Sequence, residues 1–149
     1  MRALIQRVSH ASVEVEENQV AAIDKGLLVF LGVGENDELR DIEYLVQKII
    51  PLRIFSDAQG KMNVSIVDIQ GELLVVSQFT LYADTKKGNR PSFIKSAPAS
   101  KAKEMYETFI RQLQIHSQLK VESGIFGADM KVQLLNDGPV TIWMDSREA

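Results

Sequence analysis

Apolar positions along this 149-residue chain follow two rhythms, period two in many short runs and helical spacing in two longer ones. Residues 2–8, 11–16 and 19–24 read as half-buried strands, with turn-prone Ser9-His10 and Glu17-Asn18 between them. Gly26-Leu27-Leu28-Val29-Phe30-Leu31-Gly32-Val33 is a continuous apolar run, short enough for a strand covered on both faces. From about Asp37, Leu39, Ile42, Val46 and Ile49 recur on one helical face, with Asn36 as a cap and Pro51 as the stop. Arg53-Ile54-Phe55 reads as a short strand and Asp57-Ala58-Gln59-Gly60 as a turn. Residues 72–80 read as a strand and 84–99 as a loop. A second helix is predicted over 99–116, with Ala102, Met105, Phe109 and Leu113 inward. Strands near 118–122, 130–135 and 140–145 close the chain. This pattern predicts a single domain over 1–149, of mixed α/β class. Its sheets are expected to be layered and largely antiparallel, with two long helices packed on one side.

Two segments interrupt the rhythm with more specific chemistry. Asn136-Asp137-Gly138-Pro139-Val140-Thr141 lies between strand-like runs, where Pro belongs at a strand start, an edge or a bulge. A Gly-Pro bond is one of the few in which the cis form costs only about 0.5–1 kcal/mol. Such a unit can aim two backbone carbonyls in a fixed direction, although an ordinary turn uses the same residues. The other segment, Ser77-Gln78-Phe79-Thr80, follows Glu72-Leu73-Leu74-Val75-Val76 and delivers three hydrogen-bonding side chains and an aromatic. Taken alone, it also reads as a strand leaving the core.

Composition narrows the chemistry. The chain has no cysteine, which excludes a disulfide framework, a thiol nucleophile and a Cys-based zinc site. Its two histidines, His10 and His116, are far apart in sequence, and a surface or structural role is expected for each. No Ser/His/Asp triad, metal site or cofactor is therefore expected. There is no apolar run of about 18 residues, and Arg2, Gln6 and Arg7 interrupt the N-terminal one; a cytoplasmic protein with no membrane span is expected. The net charge of −3 argues against nonspecific nucleic-acid binding, yet residues 85–103 carry +6 and no acid. Lys86, Lys87 and Arg90 in this stretch are either solvated surface or contacts for RNA phosphates.

Ser-Gln-Phe-Thr at 77–80 and Asn-Asp-Gly-Pro-Val-Thr at 136–141 resemble the two signature motifs of the D-aminoacyl-tRNA deacylases, also called D-tyrosyl-tRNA deacylases. The likeness spans the chain, from Met1-Arg2-Ala3-Leu4-Ile5-Gln6-Arg7-Val8 through Arg53-Ile54-Phe55-Ser56-Asp57 and Arg90-Pro91-Ser92-Phe93 to Phe126-Gly127-Ala128-Asp129-Met130. It implies a barrel-like homodimer with active sites near the interface, the Gly-Pro unit serving the partner's site. The implied reaction is hydrolysis of the ester joining a D-amino acid to the 3′ acceptor end of a tRNA.

Under that resemblance, Gly138 and Pro139 hold their carbonyls against the α-carbon, admitting a D-residue and colliding with an L side chain. Rejection by about 10⁴ requires about 5.5 kcal/mol, more than a pocket gains by fitting one methylene. Glycine escapes such a filter, so glycyl-tRNA becomes a second expected substrate. Arg7 is expected to hold the Gly138 and Pro139 carbonyls, although a surface ion pair would also place an arginine there. Phe126 and Met130 are expected to pack beneath the Gly-Pro loop, and Asn136, Val140 and Thr141 to support it. Ser77 and Gln78 are expected to position the terminal adenosine and ester, and the amides of Gln78 and Phe79 to form an oxyanion hole. Thr80 ranks as a hydrogen-bonding group ahead of a nucleophile, because no adjacent base is apparent. The ribose 2′-hydroxyl would then activate or orient water. A non-catalytic tRNA-binding module and a purely structural oligomer remain as rival readings.

Overall fold

The computed structural model describes residues 1–148. Its first strand, β1 (Arg2–Val15), runs without a break through Ser9-His10, where the sequence suggests a turn. The other strands are β2 (Asn18–Ile23), β3 (Gly26–Gly32), β4 (Phe55–Ser56), β5 (Met62–Val64), β6 (Glu72–Ser77), β7 (Val121–Ser123) and β8 (Lys131–Asp145). Two helices, α1 (Leu39–Ile49) and α2 (Ala99–Ser117), complete the fold, and β5 has no counterpart in the sequence reading.

The principal sheet has the order β2-β1-β3-β6-β7, and β8, off this path, pairs with β1 along most of its length. Pairings β1–β2, β1–β3 and β1–β8 are antiparallel, whereas β3–β6 and β6–β7 are parallel. Strand β4 also pairs with β5 antiparallel, so the pairing is largely antiparallel as expected, with parallel strands confined to β3, β6 and β7. Parallel neighbours need a long crossover, and α1 and α2 lie in the two crossovers here.

Both faces of β3 and β6 are covered, as their unbroken apolar runs require. Leu27, Val29, Leu31, Leu73 and Val75 share one core with Ala3, Ile5 and the inner residues of both helices. Leu28, Leu74 and Val76 join the opposite core, with Val8, Ala11, Val13, Ala21 and Ile23. There β2 and β6 meet although β1 and β3 separate them in the sheet, so the sheet curls toward a barrel.

Two irregularities make this curl possible. Between Val8 and His10, β1 has one residue more than β8 opposite it. The extra residue reverses the alternation, so Ala3 and Ile5 face the helices while Ala11 and Val13 face the other core. Between Gln6 and Val8 the excess lies on β8, where Gln6 pairs with Thr141 and Val8 with Asn136. Residues 137–140 bulge outward there, inside what the sequence reads as two strands joined by a turn.

Helix α1 is capped by Glu38 instead of Asn36, with the Asp41 carboxylate accepting the Glu38 N–H at 2.8 Å. Ile42, Leu45, Val46 and Ile49 are buried, but Leu39 is 55% exposed because it opens the first turn. In α2 the expected Ala102, Met105, Phe109 and Leu113 are all buried, joined by Tyr106. Gln118, with φ 57°, ends that helix in the left-handed region.

Candidate active site

Strand β6 ends at Ser77, and the chain turns at Gln78 into a single 3₁₀ turn, Phe79–Tyr82, where extended structure to 80 is predicted. The Gln78 N–H donates to the carbonyl of Leu31 on β3 at 2.8 Å, which fixes the start of the turn. This bond also takes that amide out of the expected oxyanion hole. The Gln78 side-chain amide donates to Thr80 Oγ1, so the two residues organise one another.

Ser77, Gln78 and Phe79 line a cavity of about 580 Å³. Its floor is apolar, built from Leu31 near the end of β3, Val33 just after it, and Ala102 and Tyr106 of α2. Phe93 forms another wall, its ring edge-on to Phe79 with centroids 5.0 Å apart and planes at 71°. Tyr106 donates its hydroxyl to the Val75 carbonyl at 2.8 Å, and burial pushes its phenol up to about 12, so it stays neutral. The sequence reading missed Tyr106 as a wall residue; its one signal is its place four residues after Ala102 on the inner face of α2. Phe126 and Met130 line this cavity, away from the Gly-Pro bulge of their own chain, because 124–130 closes over the β6 end of the sheet. Thr80 is exposed and does not line the cavity. Among the described residues no three His, Cys, Asp or Glu side chains are grouped to hold a metal ion.

The Gly138-Pro139 peptide is cis, and both residues are exposed on the β8 bulge, outside the cavity of the same chain. Gly138 has φ 154°, and a Cβ there would lie 2.7 Å from both the Val140 nitrogen and Val140 Cγ2. No other residue fits this backbone without displacement. Asn136 pins the bulge from within: its Oδ1 accepts the Val140 N–H at 2.8 Å, and its Nδ2 donates to the Val140 carbonyl at 3.3 Å. Thr141 Oγ1 accepts from Asn136 at 3.2 Å and from Gln6 at 3.2 Å.

Arg7 reaches the bulge through a neighbour of the expected acceptors. Its Nε donates to the Asp137 carbonyl at 2.7 Å and its Nη1 to the Ile54 carbonyl at 2.7 Å. The guanidinium thereby joins three segments, β1, the approach to β4 and the Gly-Pro bulge.

Asp84 and Ser92 pair backbone to backbone at 2.8 and 2.9 Å, closing a loop that presents Lys86, Lys87 and Arg90 to solvent. Phe93 follows directly, so the basic loop borders the cavity wall. Lys101, by contrast, donates to the Glu35 carbonyl at 2.6 Å and serves the fold.

This is a curled α/β sheet protein with a cavity at the end of the parallel strands β3 and β6. A family model described as D-Tyr-tRNA(Tyr) deacylase matches residues 4–145. The chain is 58% identical over 148 residues to a D-aminoacyl-tRNA deacylase of Thermosipho africanus, covering 99% of each chain. A solved structure titled c-Myc DNA Unwinding Element Binding Protein superposes with TM-score 0.92 at 42% identity, covering 97% of this chain and 98% of that one. The fold also matches a probable eukaryotic D-amino acid tRNA deacylase, with TM-score 0.82 at 16% identity over 96% and 97% of the two chains. The chain belongs to the D-Tyr-tRNA(Tyr) deacylase family and is a hydrolase of that deacylase class.

Proposed function

We propose that the chain hydrolyses the ester of D-aminoacyl-tRNA, including D-tyrosyl-tRNA, and spares the L-ester. Water adds its oxygen to the ester carbonyl carbon, the bond to the ribose oxygen breaks, and that oxygen takes a proton. The products are free D-amino acid and tRNA. The observation that carries this reading is the separation of the two motifs. One lines a cavity, while the other stands exposed on an outward bulge of a sheet-edge strand. A homodimer in which each Gly138-Pro139 enters the partner's cavity brings them together. Exposed Leu135 and Trp143 on β8 support such a contact.

In that assembly the Gly138 and Pro139 carbonyls face the α-carbon and exclude any substituent on the L side. Glycyl-tRNA passes the same filter. Phe79 and Thr80 open the 3₁₀ turn, where backbone N–H groups lack partners within the turn; the Phe79 amide is the donor for the developing oxyanion. Gln78 orients the ester and terminal adenosine with Ser77. The tRNA's 2′-hydroxyl orients the water. Lys86, Lys87 and Arg90 hold phosphates near the acceptor end. Among the described residues no helix is long and apolar enough to cross a membrane; we place the reaction in the cytoplasm with its tRNA substrate.

The test is deacylation of matched D- and L-tyrosyl-tRNA with glycyl-tRNA alongside. Loss of the D- and glycyl esters with the L-ester intact is expected. Equal loss of D and L would remove the role of Gly138-Pro139, and cleavage of neither would refute the activity.

A further inference from the structure

Three cross-links hold the 3₁₀ turn that carries Phe79 and Thr80. Gln78 N–H on the Leu31 carbonyl fixes its start. Tyr82, packed against Gly34 and only 8% exposed, donates its hydroxyl to Asp37 Oδ2 at 3.3 Å and fixes its end. The third comes from Arg2, whose Nη1 donates to the Leu81 carbonyl at 2.9 Å.

Arg2 is well placed for more than packing. Its backbone pairs with Gly32 of β3 on one side and with Asp145 of β8 on the other. Its Nε meets Asp145 Oδ2 at 2.9 Å, and that carboxylate is 5% exposed. The guanidinium carbon lies 4.4 Å from the centre of the Tyr82 ring and 5.5 Å from that of Trp143. One planar cation therefore links the last residues of β8 to the middle and end of the turn, through two charge-assisted bonds and two aromatic faces.

We propose that Arg2 is a positioning residue for the deacylation site: it sets the Gln78–Tyr82 turn against β8 without touching substrate. This rests on the hydrolytic reading above. Loosening the turn displaces Gln78 and Phe79 relative to the ester, while the remaining contacts to tRNA keep their places. The expected signature is lost turnover with binding preserved.

Arg2→Gln and Arg2→Lys in the full-length protein test this, by D-tyrosyl-tRNA kinetics and by amide hydrogen exchange. Arg2→Gln should lower kcat about 10- to 100-fold, as misplacement of a reacting group does, with KM within about twofold. Exchange should accelerate at Leu81 and Ala83, whose N–H groups bond to the Gln78 and Thr80 carbonyls, and stay slow in β3. Arg2→Lys, which keeps the charge but loses the two-pronged geometry, should recover part of both effects. Unchanged kcat, unchanged exchange in the turn, or exchange accelerated evenly across β1 and β3 would overturn the proposal. Should Arg2→Gln fail to fold, Arg2→Lys decides by the same criteria. An unmodified protein inactive on D-tyrosyl-tRNA would refute the hydrolytic reading, and with it the role in deacylation; faster exchange at Leu81 and Ala83 in Arg2→Gln than in that protein would still show that Arg2 holds the turn.

Discussion

Arg7 Nε donates to the Asp137 carbonyl oxygen at 2.7 Å, across a bulge in which four residues of β8 have no partner on β1. The bond matters because residues 137–140 have lost their ladder neighbours and need another anchor. A half-buried guanidinium supplies one, and its second bond to the Ile54 carbonyl prevents it from swinging. Asn136 completes the support from the opposite end of the bulge. Gly138 and Pro139 are thus presented on an exposed loop with a fixed backbone.

Gly138→Ala should test how narrow that backbone requirement is. The added methyl meets Val140 at 2.7 Å in a conformation unfavourable to L-residues. A stability loss of about 1–3 kcal/mol is expected in urea titration. D-tyrosyl-tRNA hydrolysis should fall with it, more than the change in folded fraction explains.

If each site takes its Gly-Pro unit from the partner, two inactive variants should rescue each other. Gly138→Ala mixed and refolded with Gln78→Ala should regain about a quarter of full activity, since half the random pairs are mixed and each keeps one intact site. Absence of any recovery, with mixed dimers demonstrated by mass spectrometry, would mean that both motifs act within one chain.

Thr80 accepts a hydrogen bond from Gln78 and stands outside the cavity. Thr80→Ala should therefore reduce kcat by no more than about tenfold, the value of one neutral hydrogen bond. A substrate ending in 2′-deoxyribose should lose about 10²-fold or more, the scale of general acid–base assistance. Single-turnover rates on both substrates would distinguish this from nucleophilic attack by Thr80.

The basic loop should act through charge. Replacing Lys86, Lys87 and Arg90 together with Ala should raise KM more than it lowers kcat. It should also flatten the dependence of log affinity on log salt by about 0.7–0.9 per phosphate contact removed. Filter binding at several salt concentrations measures that slope.

Asp41 makes stability depend on acid pH. Burial alone would raise its pKa, but hydrogen bonds from Ser146 and Glu38, with the charges of the Met1 ammonium and Arg147, outweigh it and hold the carboxyl below its ordinary 3.8. A lowered folded-state pKa contributes stability that is fully present above the unfolded value and lost as pH falls through the folded value. The gap in urea midpoint between the protein and Asp41→Asn should be widest near neutrality and shrink as pH falls below 3.8.

Much of this molecule is legible in residue order. The apolar runs at 26–33 and 72–76 declare strands covered on both faces, because only burial tolerates so little alternation. Ala102, Met105, Phe109 and Leu113 declare the inner face of α2 through helical spacing. The two four- to six-residue motifs stand out because their polar groups and Gly-Pro break a strand pattern without polar compensation nearby.

Tertiary structure decided what local pattern cannot encode. Leu134 and Ile142 have the same parity in sequence, yet they face opposite cores because the bulge between them inserts unpaired residues. Ser9-His10 looks like a turn from its polarity, but pairing with β8 on one side holds that segment extended. Phe126 and Met130 join the cavity because α2 and β7 return the chain to the end of β6. Arg7 and Arg2 acquire their roles from carbonyls 47 to 130 residues away, which side-chain chemistry alone does not specify. Sequence determines which segments can bury a face and which backbones are permitted. Strand register and chain return determine which of those groups meet.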